Sequence, residues 1–343
     1  MAEITLFSFP ISLTVAFLAL LVGFAILIKG ADWLVDGSSS AAKRSGVSDL
    51  AIGLTVVAFG TSTPELIVSL LSALDGKNDA SFGNVIGSNN FNILFILGIS
   101  GLIFPLAVQR NTVKYEIPLS LLAAIVLFVL VNDLMLWGAE SDVPAGHEGN
   151  MSRMDALILL AVFSGFLYYI YRTMKLNPGD ALPAEQVTIM PMGRAVVLII
   201  AGLAMLIIGG KTVVDSATGI AASFGLSEKL IGLTILAAGT SLPELATSAM
   251  AAYRKNADIA IGNVVGSNIF NIFFILGATG MVNPMAYHAT MNFDLYVLFG
   301  STILLMVFMF TLKAKRLDRW EAFLFLVAYV GYTVYLIVSD TGA

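Results

Sequence analysis

The sequence predicts an all-α membrane protein of ten transmembrane helices, arranged as two inverted repeats of five. Of its 343 residues, 58% are hydrophobic and only 12% are charged, and the mean hydropathy is +0.89. A soluble domain carries about 25% charged residues. Apolar stretches near the length of about 20 residues that spans a bilayer occur ten times. The second half of the chain also repeats the first.

The ten predicted spans follow one another with short connections, which leave no room for a soluble domain. Their extents are 10–30, 48–74, 80–106, 115–132, 154–172, 192–214, 228–252, 257–282, 291–312 and 321–339. We therefore expect a first repeat at 1–172, a short cytoplasmic linker at 173–191 and a second repeat at 192–343. The most similar parts, the repeat cores, are expected at 48–106 and 228–282.

The repeat becomes visible when the sequence is shifted by 179 residues. Residues 53–100 then align with 232–279 without a gap and are identical at 26 of 48 positions. The identical residues include Gly, Pro, Glu, Asn and Ser, so shared hydrophobicity does not explain the match. Because each half holds five spans, the second half enters the membrane from the opposite side. Inverted repeats are typical of transporters that bind their substrate near the bilayer midplane.

Lysine and arginine residues give the expected orientation. If the N-terminus lies outside, fourteen of the eighteen Lys and Arg residues fall on the cytoplasmic side. Positive residues favour that side of a membrane. We therefore expect both termini to lie outside the cytoplasmic face of the membrane.

The motif "GTSTPE" at residues 60–65 places Glu65 and a proline inside an apolar span. Pro64 lacks an N–H group and interrupts the helix, which frees backbone carbonyls. Such groups are tolerated in a membrane only where protein or a water-filled cavity supplies a partner. We expect the backbone oxygens at Ala58 and Thr61, the Ser62 hydroxyl and the Glu65 carboxylate to form a cluster of hard oxygen ligands, which Ca²⁺ and Na⁺ prefer.

A second copy, "GTSLPE" at 239–244, repeats the cluster with four equivalent residues: Ala237, Thr240, Ser241 and Glu244. A charged side chain at the centre of a membrane helix costs about 2.5–3.5 kcal/mol. Two facing carboxylates would also repel each other, and a cation between them would relieve both penalties. The alternative is a pair of protonated glutamates that only hydrogen-bond across the interface.

The motifs "GNVIGSNNFN" and "GNVVGSNIFN" carry two equivalent polar stripes, Asn84–Ser88–Asn92 and Asn263–Ser267–Asn271. Residues four apart share one helix face. We interpret Asn84 and Asn263 as amide ligands of a cation, because they head the stripes. The remaining Ser and Asn residues, including Asn89, are more simply explained as interhelical hydrogen-bond partners.

The composition and the other motifs exclude several function classes. The chain contains no cysteine, which rules out disulfides and thiolate metal sites. It shows no Walker motif and no paired Ser–Lys, so we expect neither an enzyme nor a bound cofactor, and nothing indicates nucleic-acid binding. The carboxylates near span ends are expected to be interfacial caps or solvated residues: Asp32, Asp36, Asp75, Asp79, Asp215 and Asp258.

Both motif pairs resemble the two α-repeats of the cation/calcium antiporter superfamily, and the short central loop resembles its prokaryotic sodium/calcium exchanger-like members. This resemblance implies the cytoplasmic membrane of a bacterium or archaeon. The resemblance covers nearly the whole chain. It implies ten helices, with the second, third, seventh and eighth around the ions and the long first and sixth sliding across them. It also implies cation ligation at Glu65, Glu244, Asn84, Asn263, Ser62, Ser241, Thr61, Thr240, Ala58 and Ala237.

The function implied is antiport of Na⁺ against Ca²⁺ by alternating access, with Ca²⁺ exported and the lipid bilayer as a further partner; the oligomeric state stays open. A monomer would suffice for transport. Proton coupling or another divalent cation remains open, and so does a channel or sensor with the same oxygen cage. Because both asparagines of the site are neutral, it holds two negative charges at most, which leaves the counter-ion and stoichiometry open.

Overall fold

The computed structural model describes residues 4–6, 9–132, 136, 149–173, 189–224, 237–311 and 315–341. Helices dominate it: α1 (Leu13–Ser45), α2 (Asp49–Thr61), α3 (Thr63–Leu74), α4 (Asn78–Ile103), α5 (Thr112–Val131), α6 (Arg153–Thr173), α7 (Met192–Ser223), α8 (Leu242–Tyr253), α9 (Ala257–Val282), α10 (Asn292–Phe308) and α11 (Arg319–Thr341). Within the described residues, eight helices are long and apolar enough to cross a membrane, or nine if the bent pair α2–α3 is one span. The prediction of an all-α membrane protein is confirmed.

The first helix is longer than its predicted span of 10–30. Helix α1 starts after Ser12, whose hydroxyl accepts a hydrogen bond from the Val15 N–H, and it ends at Gly46 with a φ of 66°. Two carboxylates lower the hydropathy of the second half of this helix, so the span predicted from hydropathy ended too early. Asp32 and Asp36 lie on it, and both pair with Arg254 of a distant segment.

The predicted break in the second span is confirmed. Helices α2 and α3 meet at an angle of 46°, and Pro64 lies in the first turn of α3. Ser62 occupies the N-cap position but makes no side-chain capping bond. Its hydroxyl is therefore available to the opposite half of the molecule. Helix α8 starts in the same way, with Ser241 at its N-cap and Pro243 in its first turn.

Helices α1 and α7 pack antiparallel along their length. A Cβ on Gly30 would lie 2.9 Å from the Gly202 carbonyl oxygen, and a Cβ on Gly202 would lie 2.8 Å from the Gly30 oxygen. A Cβ on Gly209 would likewise lie 3.0 Å from the Gly23 carbonyl oxygen. Small residues allow membrane helices to approach this closely. Since α1 and α7 are equivalent in the 179-residue repeat, their antiparallel crossing agrees with inverted repeats.

Helices α4 and α9 form the centre of the molecule, where α9 is almost wholly buried. They also cross antiparallel, because Asn92 donates to the Asn268 amide oxygen at 2.9 Å and Asn271 donates to the Asn89 amide oxygen at 2.9 Å. Both helices widen into π-helical turns at equivalent stretches, Phe91–Ile96 and Phe270–Leu276. Such turns are frequent at functional sites.

Three short antiparallel ribbons join loops at the ends of the helices. They pair Ile4–Leu6 with Phe9–Ile11, Leu106–Ala107 with Arg316–Leu317, and Gly149–Met151 with Met285–Tyr287. The sequence did not predict them, because each strand is too short to show a period of two. Of the predicted seventh span, 228–252, residues 228–236 lie outside the described residues, as do 174–188 of the predicted linker. The domain boundaries stay a prediction.

Candidate cation site

The two glutamates of the motifs lie at the centre of the molecule, each 1% exposed. Glu65 is in the first turn of α3 and Glu244 in the first turn of α8, because a proline fixes the start of each helix one residue earlier. The Oε2 atom of each carboxylate is buried and has no hydrogen-bond partner among the described residues. Two buried acceptors are thus left with free lone pairs.

The other oxygen of each carboxylate is held by a serine of the opposite repeat. Ser62 donates to Glu244 Oε1 at 2.8 Å, and Ser241 donates to Glu65 Oε1 at 2.9 Å. The serine hydroxyls are in turn 3.0 Å from Ser267 and Ser88 of the central helices. The four predicted residues Ser62, Ser241, Glu65 and Glu244 therefore belong to one two-fold arrangement.

The first residue of each polar stripe, Asn84 or Asn263, donates hydrogen bonds to the backbone of the glutamate and to a neighbouring serine. Asn84 donates to the Glu65 carbonyl oxygen at 3.2 Å and to the Ser69 hydroxyl at 2.9 Å. Asn263 makes the equivalent bonds to Glu244 and Ser248 at the same distances. These contacts fix the backbone that carries each carboxylate, so the two asparagines position the glutamates whether or not they also contact a cation.

The threonines of the two motifs contact the side-chain amides of these asparagines. The Thr61 hydroxyl lies 3.0 Å from the Asn263 amide oxygen, and Thr240 lies 3.2 Å from that of Asn84. Each predicted amide ligand thus has its oxygen engaged by a hydroxyl group. Ligation by Thr61, Thr240, Asn84 and Asn263 stays a prediction.

The two predicted alanine carbonyls belong to Ala58 and Ala237. The Ala58 oxygen accepts the Ser62 N–H at 3.0 Å and lies 3.3 Å from the Thr61 hydroxyl. It is not left without donors, because α2 stays helical up to Thr61 and the break comes one residue later. Ala237 lies in a helical turn that ends at Gly239. Ligation by either carbonyl also stays a prediction.

Four side chains treated as packing partners in the sequence border this site. Ser88 and Ser267 contact the serines that hold the glutamates. Asn92 and Asn271 donate across the helix crossing, as predicted, but each has a buried amide oxygen with no partner among the described residues. The signal was present in the sequence, because these residues lie on the same stripes as Asn84 and Asn263, one and two turns further along.

The donor set fits a hard cation. Carboxylate, hydroxyl and amide oxygens are the ligands preferred by Ca²⁺ and Na⁺. No group of three or more His, Cys, Asp or Glu side chains that could hold a metal occurs in the part of the chain that the structure describes. The cage therefore relies on two carboxylates and several neutral oxygens.

A cavity of about 900 Å³ reaches the site at its Asn84 end. It lies between α3 and α7 and is lined by Asn84 and Thr240 of the site. Asn84 and Thr240 are half-buried, whereas their equivalents Asn263 and Thr61 are wholly buried. The cavity therefore gives access to the Asn84 side of the cage.

Comparison with known proteins identifies the family. The family model described as sodium/calcium exchanger protein matches residues 15–172 and 194–338. The chain belongs to the sodium/calcium exchanger family. Its members are transporters, and the chain is accordingly a multi-pass membrane protein.

Individual relatives and a solved structure agree. The chain is 37% identical to the putative antiporter CaxA of Alkalimonas amylolytica over 95% of this chain and 99% of that one. It is 30% identical to the sodium/calcium exchanger MaX1 of Methanosarcina acetivorans, over 94% and 99%. The sodium-calcium exchanger NCX_Mj, soaked with zero Na⁺ and Ca²⁺, superposes with a TM-score of 0.78 at 31% identity, over 95% of this chain and all of that one. The predicted exchanger-like fold is confirmed by this similarity.

Proposed function

We propose that this exchanger couples inward movement of Na⁺ to export of Ca²⁺ by alternating access. One observation carries the proposal: two buried carboxylates face a common cage, and each has an oxygen with no partner among the described residues. An ionised carboxylate in such a place is costly unless it is paired with a cation. The names of the relatives MaX1 and NCX_Mj support Na⁺ and Ca²⁺ as the pair.

The proposed ligands are drawn from the whole two-fold cage. The carboxylates of Glu65 and Glu244 provide the charge, and the hydroxyls of Ser62 and Ser241 turn their oxygens toward the ion. The unpartnered amide oxygens of Asn92 and Asn271 join them. The asparagines and threonines of the outer layer, with the two alanine carbonyls, complete the set predicted from the sequence.

The charge of the site determines how many cations it binds in each half of the transport cycle. Two ionised carboxylates are balanced by one Ca²⁺ or by two Na⁺, so the exchange that keeps the occupied site neutral moves two Na⁺ for each Ca²⁺. Protons compete for the same carboxylate oxygens. We therefore expect Ca²⁺ transport to weaken as the pH falls and the carboxylates are neutralised.

The predicted orientation assigns the two sides. With both termini outside the cytoplasmic membrane, the Asn84 side faces the exterior, and the cavity is the outer access route. The structure then corresponds to an outward-open state of the cycle.

The test is the removal of one charge at a time. Glu65→Gln and Glu244→Gln nearly preserve shape, so each variant should fold but lose Na⁺-driven Ca²⁺ transport, because a single carboxylate does not offset the dehydration of a divalent ion. Transport is measured in proteoliposomes at matched protein amounts. Glu116→Gln is the matched control: Glu116 is also buried in a membrane helix and also has an unpartnered Oε2 among the described residues, but Tyr169 and not a serine of the cage donates to its Oε1.

The control should transport normally. Exchange close to that of the unmodified protein in both site variants would mean that the glutamates only join the repeats as a protonated pair, and it would refute the proposal.

A further inference from the structure

The two ends of the molecule are closed to different extents at equivalent helix pairs. Helix α1 packs along α8, where Leu27 and Leu34 form an apolar cluster with Leu242, Ala246 and Met250. The equivalent pair, α7 and α3, is separated by the cavity. Ile67 and Leu71, which correspond to Ala246 and Met250, are 51% and 56% exposed. One helix pair is therefore in contact while its counterpart is apart.

An ionic contact fastens the closed pair. Arg254 follows the last residue of α8, and its guanidinium group pairs with Asp32 and Asp36 of α1. The Nη1 atom lies 3.3 Å from Asp36 Oδ1. Lys29 also contacts Asp32, at 2.7 Å. A base at the end of the short helix thus holds two acids on the long helix.

The repeat places opposite charges at the open pair. With the shift of 179 residues, Asp32 corresponds to Lys211 on α7, and Arg254 corresponds to Asp75, which follows α3. Both signs are exchanged, so the attraction between the long helix and the end of the short helix is kept. Had only one position changed, the pair would repel. Asp36 corresponds to Asp215, which is unchanged in sign.

In this structure the two charges of the open pair have other contacts. Lys211 lines the cavity and lies 3.2 Å from Asp215, four residues along the same helix. Asp75 lies 3.5 Å from Lys77 in the turn that follows α3. Asp75 and Lys77 are largely exposed, so their contact can be exchanged at low cost.

We propose that Lys211 and Asp75 form the second of two alternating ionic locks, which closes the cavity when the Arg254 lock opens. The inference rests on the proposed function, since two alternating states are needed for two alternating locks. In the opposite state α7 would pack along α3 as α1 packs along α8 here. Lys211 would then leave Asp215 for Asp75, and Arg254 would leave Asp32 and Asp36.

The test uses a thiol reporter in the cavity, which the lack of native cysteine permits. Gly83→Cys places the thiol on an exposed lining position, where a Cβ meets no described atom within 4 Å. The rate of reaction with an impermeant maleimide then measures how often the cavity is open. It is recorded with Na⁺, with Ca²⁺ and with neither ion, and the ion giving the slowest reaction is used for the comparisons below.

The two locks should act in opposite directions. In the reporter background, Lys211→Gln and Asp75→Asn should each raise the rate by about threefold, as expected for loss of one exposed ion pair. Arg254→Gln should lower it by a similar factor. The double exchange of Lys211→Asp with Asp75→Lys should restore the parental rate. Asp79→Asn, a neighbouring exposed acid of the same end, is the control and should change nothing.

A second measurement detects the contact directly. Thiols introduced by Lys211→Cys and Asp75→Cys should crosslink under the ion condition that slows maleimide labelling. Thiols introduced by Asp36→Cys and Arg254→Cys should crosslink under the opposite condition. Crosslinking of both pairs under the same condition would overturn the lock.

The failures are distinguishable. If the labelling rate is the same with every ion, alternating access itself is absent. This result would refute both the proposed function and the ionic lock. If the rate responds to the ions but Lys211→Gln and Asp75→Asn behave like Asp79→Asn, exchange survives and the ionic lock is wrong.

Discussion

The two sides of the cation site are built from equivalent residues but differ in their exposure. Around Asn84 and Asn263 the hydrogen bonds have equivalent partners and nearly equal lengths. Yet Asn84 borders a cavity and Asn263 is wholly buried. The difference therefore lies in the helices that cover each side and not in the cage itself.

The glycines of the central helices show the same contrast. A Cβ on Gly266 would lie 2.8 Å from the Ala58 side chain and 2.9 Å from the Leu54 backbone oxygen. A Cβ on Gly87, the equivalent residue of α4, meets no described atom within 4 Å. A site that is covered at Asn263 and reached by a cavity at Asn84 can present one set of ligands to two aqueous phases in turn. This is the arrangement expected of inverted-repeat transporters.

The largest expected effect that would test the comparison is on stability. Gly266→Val forces a branched side chain against the backbone of α2, so it should destabilise the protein by about 1–3 kcal/mol through overpacking. Gly87→Val meets none of the atoms that the structure describes and should cost much less. Thermal unfolding of the two purified variants in one detergent gives the difference. Equal melting temperatures would mean that the two glycines have equivalent surroundings, against the structure.

A smaller effect is expected on the access of reagents from the two sides. Asn84→Cys borders the cavity, whereas Asn263→Cys is enclosed. With cation-free protein in detergent, the first thiol should react with a hydrophilic maleimide at least about tenfold faster, which corresponds to about 1.4 kcal/mol between the two sides. Folding of each variant is checked by its elution as a single species. Equal rates would show that the cavity does not reach the site preferentially on the Asn84 side.

The smallest effect, since folding and transport should persist, concerns the charge moved in each cycle. Asn271→Asp places a third carboxylate where the structure leaves an amide oxygen unpartnered, and it gives up a single donated hydrogen bond, to Asn89. A site with two carboxylates is neutral with either one Ca²⁺ or two Na⁺ bound. Transport by the unmodified protein should therefore be independent of the membrane potential. The third charge needs one more cation and should make transport respond to a potassium–valinomycin potential.

Asn263→Asp is the informative counterpart. It removes the amide donor to the Glu244 carbonyl oxygen and Ser248, so it should impair transport instead of changing its voltage dependence. An identical response of the two variants would contradict the separate roles of the two stripe positions.

Much of the fold and of the cage could be predicted from the sequence because the repeat is gapless. A shift of 179 residues already pairs Glu65 with Glu244 and Ser62 with Ser241, and the proline before each glutamate explains the break. The roles within the stripes could not be separated. Asn84 and Asn92 are chemically identical and share a helix face, and only their contacts show that one has an engaged amide oxygen and the other a free one.

The prediction of where α1 ends was wrong for a related reason. Asp32 and Asp36 lower the local hydropathy, and the residue that pairs with them, Arg254, lies more than 200 positions away in the chain. The exposure of the two sides was also beyond the sequence, since the two repeats carry the same motifs. Which side is open depends on how α1 and α7 pack against the short helices.

The most direct test of coupled exchange is uptake of radioactive Ca²⁺ into proteoliposomes whose internal solution is varied. Uptake should occur with Na⁺ inside and cease when choline replaces it, and a pH gradient alone should not restore it. The inactive Glu65→Gln protein sets the background. Equal uptake without any internal counter-ion would indicate a channel, and uptake driven by protons without Na⁺ would indicate a proton-coupled exchanger. Either result would contradict Na⁺/Ca²⁺ antiport.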